Sequence, residues 1–493
     1  MSKDNTPIHG IWTSRWVFIL AAAGSAIGLG NIWKFPYMTG ANGGGAFVMV
    51  YLVCIACVGM PIMIAEVMLG RRGGMSPVNS MRKLARENGV SSRWTGVGAL
   101  GALSGFLLLS FYTVIGGWTL FYVWEMASGA LHQASASEVQ GVFDGIMANP
   151  WLVLAGHTMF MVMTMVVIGR GVVRGIEASV RILMPLLFLL LLVLFGYALT
   201  SDGFGAALRY LFAVDVSRLT GMSVLAAVGH AFFTLSIGLG AIMAYGAYMP
   251  RNTVDGKGVR KPVSIGSTVL TVGVLDTVVA LMAGMVIFPV VFANGLAPSE
   301  GPGLLFVTLP LAFAEVPLGA LFGSLFFILV VCAAWTSSIS IAEPPVAWLV
   351  EKGFSRPQAA VLVGLLAWTL GIGSALSFNV LSDYTLFGKT FFGLVDFVTI
   401  NIMLPVGGLL IAIFAGWVMK ETHVRKELAM KRFGVYLVWR AVLRVVVPLA
   451  LGTVFVFSLW QGLKPAAAPE SPTVPVEVPA ADQGAESVPP GEL

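Results

Sequence analysis

The chain alternates between long apolar runs and short polar or basic connections, and the runs are long enough to cross a lipid bilayer. Runs of this length are typical of membrane helices and not of the short alternating strands of an outer-membrane barrel. The predicted fold is therefore an all-α integral membrane protein with about eleven transmembrane helices. The spans are expected near residues 16–39, 45–69, 96–126, 150–168, 177–200, 222–247, 264–292, 318–349, 357–378, 388–418 and 436–461.

Two of these spans are interrupted by glycines near their middle. The first contains Gly24, Gly28 and Gly30, and the sixth contains Gly238 and Gly240 beside a run of polar residues. Unwound backbone inside a membrane persists only where protein or a water-filled cavity satisfies its N–H and C=O groups. We therefore interpret both spans as broken helices at a binding site.

The spacing of the two breaks predicts how the chain is organised. Broken helices five spans apart are expected of a 5+5 inverted repeat, in which the first and sixth helices are discontinuous. The first repeat is expected at about 16–200, the second at about 222–418, and an extra helix at about 436–461. Half-helix amino termini attract an anionic group and free carbonyls attract cations, so a zwitterionic ligand with sodium ions suits such a fold.

Composition and charge add the membrane orientation. The 493 residues are 57% hydrophobic and 11% charged, with a mean hydropathy of +0.88, which excludes an ordinary soluble globule. Basic residues crowd the connection after the second span, whereas the loop 127–149 has none. The positive-inside rule then predicts a multi-pass protein of the cell inner (plasma) membrane with residues 1–15 in the cytoplasm. An odd number of spans places the carboxyl terminus outside, where 465–493 are expected to form a disordered tail.

Polar residues at membrane depth are the candidate chemistry. Asp276 is an isolated carboxylate in an apolar helix, and such a residue is by default functional. Carboxylate, amide and hydroxyl oxygens together suit a hard cation. Glu66 and Glu343 lie near cytoplasmic ends, where structural hydrogen bonding explains them as well as ion binding does. In the fifth span, Gly175 and Pro185 predict a hinge, with a plain helix start as the alternative.

Several motifs together resemble the neurotransmitter:sodium symporter family, in particular its bacterial amino-acid carriers, over residues 9 to about 461. They are Ala-Ala-Ala-Gly-Ser-Ala-Ile-Gly-Leu-Gly-Asn-Ile-Trp-Lys-Phe-Pro-Tyr at 21–37, Asn-Gly-Gly-Gly-Ala-Phe at 42–47, Glu66 to Arg71, Phe-Phe-Thr-Leu-Ser at 232–236 and Thr-Ser-Ser-Ile at 336–339. The resemblance implies a sodium-coupled symporter of neutral, hydrophobic L-amino acids that works by alternating access. It also supports the inverted-repeat fold.

The resemblance implies two sodium sites. The first would use the Ala26 carbonyl, the substrate carboxylate and the side chains of Asn31, Thr234 and Asp276. The second would use the carbonyls of Gly24, Ile27 and Ala333 and the hydroxyls of Thr336 and Ser337. Family members that depend on chloride carry a serine where this chain has Ala280. We predict that Asp276 supplies the compensating charge, so that transport needs no chloride.

The substrate site is implied in the same way. The substrate carboxylate would meet the N–H groups of Leu29 and Gly30 and the hydroxyl of Tyr112. Its ammonium would meet the carbonyls of Ala26, Phe233 and Thr234 and the hydroxyl of Ser236. The pocket wall would comprise Leu108, Tyr112, Phe233, Leu239, Ser337 and Ile341. Amine carriers of the family place an aspartate where this chain has Gly28, so the substrate here should bring its own carboxylate.

The gates depart from the family pattern. At the external gate Lys34 replaces an arginine and is expected to pair with Asp396, without the bidentate fork of a guanidinium. At the cytoplasmic gate His9 takes the usual arginine position, near Trp12, Tyr248 and Glu351. A solvated terminal position for His9 explains it equally well. A His–Glu contact there would be weaker and sensitive to pH.

Other classes of protein fit the sequence less well. An enzyme is not expected, because the five histidines are scattered without a nucleophile–base or metal pattern. A channel would not explain two matched broken helices. A proton-coupled amino-acid carrier and a non-transporting amino-acid sensor on the same fold remain alternatives. The expected partners are an amino acid and the lipid bilayer, with no nucleic acid, while substrate identity and oligomeric state stay open.

Overall fold

The computed structural model describes residues 10–254, 260–296, 303–430 and 432–462. Within these residues nine helices are long and apolar enough to span a membrane, and a tenth span is made of two helices that meet at an angle. The nine are Gly45–Gly73, Ser92–Ala127, Pro150–Gly169, Val172–Ala198, Ile265–Ala293, Gly319–Glu351, Arg356–Leu376, Phe391–Val418 and Phe433–Gln461. They coincide with nine of the eleven predicted spans.

The first span is broken, as the glycines predict. An α-helix covers Arg15–Ala26, a π-helical turn covers Gly30–Lys34, and a further α-helix covers Phe35–Ala41. The two halves are bent by 49°. The carbonyls in the last turn of a helix have no partner within that helix. The break therefore leaves the carbonyls before Ile27 available to other groups in the middle of the bundle.

The sixth span is broken over a longer stretch. Its outer half is Gly221–Thr234 and its inner half is Ala241–Ala247. Between them the backbone has left-handed φ values at Ser236 (53°), Gly238 (84°) and Gly240 (71°). Glycine adopts such φ values without strain, whereas Ser236 does so at some cost. Neither half is long enough to cross a membrane alone, so the sixth predicted span is not among the ten spans counted by helix length.

Shorter elements complete the chain. The all-α prediction is confirmed, and one small antiparallel hairpin, formed by strands Asn252–Val254 and Arg260–Pro262, accompanies the helices. Serine, threonine and asparagine caps begin several helices; Ser135 and Glu138, for example, form a capping box. The shorter helices absent from the span prediction are Pro77–Asn88, Ala136–Ala148, Phe204–Phe212, Val216–Arg218, Leu304–Ala314 and Glu421–Leu428.

Helices Ser92–Ala127 and Gly319–Glu351 pack along one another and flank the two broken spans. A Cβ atom at Gly105 would lie 2.9 Å from the Ile341 carbonyl oxygen and 3.4 Å from that of Leu239. A larger residue at this position would push the third span away from both segments. The close approach brings the third, sixth and eighth spans together beside the breaks.

The fifth span begins with a π-helical segment, Val172–Glu177, which contains the predicted hinge residue Gly175. Pro185 lies inside the α-helix that follows, Ala178–Ala198. The turns between these two residues are wound in this structure, so unwinding at the hinge stays a prediction. His9 and the tail 465–493 lie outside the described residues.

Candidate functional site

Asp276 lies at the centre of the first predicted sodium site. Its side chain is fully buried, and Oδ1 accepts hydrogen bonds from Asn31 Nδ2 at 2.8 Å and Thr234 Oγ1 at 3.1 Å. Tyr51, which the sequence did not single out, donates to Oδ2 at 3.5 Å. A buried carboxylate is costly unless it is paired. Its three hydrogen-bond donors are neutral, so a bound cation would supply the counter-charge that an ionised carboxylate needs here.

Asn31 joins this carboxylate to the break in the first span. Its Oδ1 accepts the Gly28 N–H at 3.1 Å, while Nδ2 donates to Asp276. The side-chain amide is thereby fixed on both sides. Of the predicted first-site ligands, the side chains of Asn31, Thr234 and Asp276 are brought together by direct contacts. Ala26 is the last residue of the helix that ends at the break.

The second predicted sodium site also assembles around the break. Ser337 Oγ donates to the carbonyls of Gly24 and Ser25 at 3.3 and 3.4 Å. Thr336 Oγ1 donates to the Ala333 carbonyl at 3.1 Å. A Cβ atom at Gly24 would lie 3.2 Å from Thr336 Cβ, so the first and eighth spans are in direct contact here. Ile27, in extended conformation, follows the helix end.

Gly28 and Tyr112 face one another at the place predicted for the substrate carboxylate. A Cβ atom at Gly28 would collide with Ser337 Oγ and would lie 3.2 Å from the Tyr112 hydroxyl. That hydroxyl is buried and has no hydrogen-bond partner among the described residues. Buried hydroxyls are nearly always paired. A ligand oxygen would complete its hydrogen bonding.

The unwound segment of the sixth span is held by two contacts. Ser236 Oγ donates to the Ser25 carbonyl at 2.7 Å. In this structure the hydroxyl that was predicted to meet the substrate ammonium is therefore bonded to the first span. Glu66 Oε1 accepts the Gly238 N–H at 2.6 Å. Glu66 is therefore a structural acceptor in this structure, which is one of the two roles that the sequence left open.

An outer cavity of about 290 Å³ lies above the breaks. Six residues predicted for the substrate site and the external gate line it: Leu29, Lys34, Leu108, Tyr112, Phe233 and Asp396. The other predicted wall residues, Leu239, Ser337 and Ile341, are buried and do not line it. The cavity thus includes part of the predicted pocket and is lined mainly by aromatic rings.

The external gate pair is not formed in this structure. Lys34 and Asp396 line the same cavity, but no ion pair within 4.0 Å joins these two described residues. The Lys34 ammonium instead lies 4.4 Å from the centre of the Phe233 ring. The sequence could not foresee this cation–π contact, because it depends on how the two half-helices are placed.

Trp12, which is predicted to belong to the cytoplasmic gate, packs against the inner half of the sixth span and the residue that follows it. Its indole N–H donates to the Tyr245 carbonyl at 3.1 Å, and its ring packs edge-on against Tyr245 and Tyr248. Glu351 accepts hydrogen bonds from the Ser76 backbone N–H and from Asn79 Nδ2, both at 2.6 Å. Of the predicted cytoplasmic gate, Trp12 and Tyr248 are in contact, and Glu351 is bonded to the connection after the second span.

Two ionic networks on this side were not predicted from the sequence. The buried carboxylate of Glu343 pairs with Arg356 and accepts the Tyr248 hydroxyl at 2.6 Å. Glu177 accepts the Thr13 N–H at 3.2 Å and pairs with Arg181 at 2.6 Å. The Glu177 network ties the segment that precedes the first span to the fifth span. The Glu343 network ties the end of the sixth span, at Tyr248, to the eighth span.

We expect Glu343→Gln to destabilise the protein, because Arg356 would be left buried without a counter-charge. Breaking a buried pair in this way costs about 3–5 kcal/mol. Thermal denaturation in detergent should show a melting temperature several degrees lower. The double variant Glu343→Gln/Arg356→Gln is the control and should recover much of the loss. An unchanged melting temperature in the single variant would show that the pair contributes nothing.

A model of the sodium:neurotransmitter symporter family matches residues 9–140 and 147–468. The chain belongs to the sodium:neurotransmitter symporter family. This membership confirms the resemblance seen in the motifs, and with the fold it establishes a multi-pass membrane protein that is a sodium-coupled transporter.

Members of the symporter family resemble the chain over nearly its whole length. The uncharacterized sodium-dependent transporter YhdH of Bacillus subtilis is 39% identical over 460 residues, which cover 92% of this chain and 98% of the relative. An uncharacterized sodium-dependent transporter of Haemophilus influenzae is 31% identical, with coverages of 91% and 98%. Among solved structures, MhsT in complex with L-phenylalanine is 44% identical, with a TM-score of 0.82 and coverages of 91% and 99%. This structural match confirms the predicted membrane fold.

Proposed function

We propose that this transporter carries neutral, hydrophobic L-amino acids together with sodium, by alternating access. The observation that supports this most directly is a chain of three contacts that joins four residues at the break of the first span. The buried Asp276 carboxylate is bonded to Asn31, Asn31 is bonded to the Gly28 N–H, and Gly28 faces the unpartnered Tyr112 hydroxyl. An ion at Asp276 and a carboxylate at Tyr112 would therefore be neighbours.

We assign two sodium sites on the oxygen atoms that converge here. At the first, Asp276, Asn31 and Thr234 supply side-chain oxygens and Ala26 a carbonyl. At the second, the Gly24 carbonyl and Ser337 Oγ lie 3.3 Å apart, which is the separation of two oxygens that a single cation can bridge. Ile27, Ala333 and Thr336 would complete it. Carbonyl, hydroxyl and carboxylate oxygens are the ligands that hard cations prefer.

The substrate class follows from the cavity and from the structural relative. Gly28 leaves room for a ligand that brings its own carboxylate, and the backbone N–H groups of Leu29 and Gly30 begin a half-helix, which favours an anion. Apart from Lys34, Asp396 and Asn401, the side chains that line the outer cavity are aromatic or aliphatic. MhsT was solved with L-phenylalanine. These features favour an amino acid with an apolar side chain.

Coupling would arise because the two ligands share one site. A substrate carboxylate that ligates the first sodium ion raises the affinity for that ion, and by reciprocity the ion raises the affinity for the substrate. Closure of Lys34 and Asp396 above the substrate, and release of Trp12 below it, would then expose the site to each side in turn. Unwinding between Gly175 and Pro185 would widen the cytoplasmic exit.

Sodium-dependent binding of a labelled amino acid tests the substrate class. The purified protein is equilibrated with labelled L-phenylalanine in sodium chloride and challenged with each of the twenty amino acids. We expect large neutral side chains to compete and charged ones to fail. Competition by charged amino acids alone would contradict the assignment of the apolar pocket.

Chloride independence is a separate expectation, with its own measurement. Asp276 supplies a fixed negative charge near the first sodium ion, and Ala280, one helical turn away, offers no hydroxyl to an anion. Uptake in sodium chloride and in sodium gluconate should therefore be equal. A strict requirement for chloride would show that Asp276 does not supply the compensating charge.

Leu239→Phe should change which side chains are accepted. Leu239 is buried below the outer cavity, where its segment contacts Gly105. Added volume at this position would fill space that the largest substrates need. In an apolar pocket, a difference of one methylene group between two substrates changes their relative binding free energy by about 1–3 kcal/mol. The competition panel should move toward smaller amino acids, with the sodium dependence unchanged. An unaltered panel would place Leu239 outside the pocket.

We also propose the orientation given by the basic residues. The carboxyl terminus would lie outside the cell membrane and the amino terminus in the cytoplasm, on the side of Trp12. A proton-coupled carrier is the nearest rival function. Replacing sodium by choline at fixed pH distinguishes the two, because only the rival retains uptake.

A further inference from the structure

Four separate segments bring basic side chains around one cavity on the side assigned to the cytoplasm. The cavity has a volume of about 320 Å³. Its walls come from the end of the second span, helix Pro77–Asn88, the connection after the sixth span and helix Glu421–Leu428. The charged residues that line it are Arg71, Arg72, Lys83, Glu87, Arg251, Lys426 and Glu427.

Five cationic side chains and two carboxylates line the cavity, so its lining carries a net charge of +3. Glu427 lies between two guanidinium groups, at 2.7 Å from Arg71 and 3.8 Å from Arg251. Glu87 is used by Arg72 at 2.9 Å. The excess charge therefore faces the cavity without a fixed counter-ion among these lining residues.

The remaining cations are available to a ligand. The Lys83 ammonium donates to the Gly73 carbonyl at 2.9 Å, which holds it in place but does not neutralise it. No hydrogen bond or ion pair involves Lys426 within the part of the chain that the structure describes. The Arg251 side chain is 65% exposed. These side chains come from three of the four segments, so an anion among them would link those segments.

His423 lies close to the cations of this cavity. It lies on the same helix as Lys426, with Nδ1 at 3.0 Å from Asn88 Oδ1. Partial burial lowers the pKa of His423, and the charges of Arg72, Lys420 and Lys426 lower it further, against an opposing effect of Glu87. Burial and these cations together therefore disfavour protonation of His423.

We propose that this cavity binds the phosphate group of an anionic phospholipid from the cytoplasmic leaflet. Basic pockets between helix ends on this side of a membrane are typical headgroup sites. A phosphate diester offers several acceptor oxygens, which match the guanidinium of Arg251 and the ammonium groups of Lys83 and Lys426. Free phosphate has the same chemistry and is separated from the lipid by the experiment below.

The position of the site predicts an effect on transport. Arg251 follows the inner half of the sixth span, Ala241–Ala247. That half-helix packs so closely on the second span that a Cβ atom at Gly70 would collide with the Met243 carbonyl oxygen. A headgroup that links Arg251 to Lys83 and Lys426 holds the end of this half-helix against the second span. Bound lipid therefore favours the closed cytoplasmic side.

Native mass spectrometry of the full protein from nanodiscs tests the site. Nanodiscs contain phosphatidylcholine with or without phosphatidylglycerol, and retained phosphatidylglycerol is counted. We expect phosphatidylglycerol to bind about fivefold more weakly to Lys426→Gln and roughly 25-fold more weakly to Arg251→Gln/Lys426→Gln. Each basic residue near an anionic lipid contributes a factor of about five to the affinity. Arg425→Gln is the matched control, because its guanidinium lies 4.8 Å from the Phe433 ring centre and does not line this cavity.

Histidine NMR separates the two sources of phosphate. In the wild type, phosphatidylglycerol should raise the pKa of His423, and inorganic phosphate added to phosphatidylcholine nanodiscs should not. A rise with inorganic phosphate alone would overturn the lipid assignment. Equal retention of phosphatidylglycerol by the wild type and the double variant, or no preference of the wild type for it, would overturn the site. Melting temperatures in phosphatidylcholine alone show that each variant is folded.

Discussion

We expect Asp276→Asn to weaken sodium binding on the order of 100-fold, as judged from the Coulomb energy of one buried charge beside a cation. The substitution preserves the shape of the side chain and removes only its charge. Asn31 and Thr234, which bond to Oδ1 at 2.8 and 3.1 Å, would remain in place. Substrate affinity should fall together with sodium affinity, because the substrate carboxylate is proposed to ligate the same ion.

The measurement is the sodium concentration at half-maximal binding of labelled L-phenylalanine. Glu66→Gln is the control, since it makes the same change at another buried carboxylate. The glutamine oxygen can still accept the Gly238 N–H that Glu66 accepts at 2.6 Å. The control should stay within a few-fold of the wild type. A similar loss in both variants would indicate general damage to the core and not the loss of a sodium ligand.

Gly28→Asp should abolish amino-acid binding. A Cβ atom at this position collides with Ser337 Oγ, and the added carboxylate would lie beside Tyr112, where the substrate carboxylate is proposed to bind. Two carboxylates in one buried site repel each other strongly. We expect no competable binding of labelled L-phenylalanine at concentrations that saturate the wild type.

Gly30→Ala is the matched control for this variant. A Cβ atom there would lie 3.4 Å from the Phe233 ring, at the edge of ordinary contact, and the N–H proposed to bind substrate is retained. Binding should persist, weakened by about tenfold at most if the Phe233 ring must shift by a few tenths of an ångström. Retained amino-acid binding in Gly28→Asp would exclude Gly28 from the substrate site.

The breaks in the fold could be predicted because glycine and polar residues cluster where a membrane helix would otherwise continue. Gly24, Gly28 and Gly30 mark the first break, and Gly238 and Gly240 adopt the left-handed φ values of the second. The same reasoning found Asp276, because a carboxylate in an apolar helix is conspicuous. These signals are local in the sequence.

The ionic contacts near the predicted cytoplasmic gate could not be predicted in this way. Glu343 and Arg356 lie on consecutive helices, and their pairing depends on how those helices cross. Thr13 and Glu177 are 164 residues apart and meet only in the folded bundle. The expected pair of Lys34 and Asp396 failed to form for a related reason, since the Phe233 ring offers the ammonium an alternative.

Uptake into proteoliposomes tests the central claim most directly. The full chain is reconstituted, and the accumulation of labelled L-phenylalanine is followed under an inward sodium gradient, or under an inward proton gradient with choline in place of sodium. We predict accumulation above the external concentration with the sodium gradient only. Accumulation under the proton gradient without sodium, or binding without accumulation, would contradict a sodium-coupled amino-acid symporter.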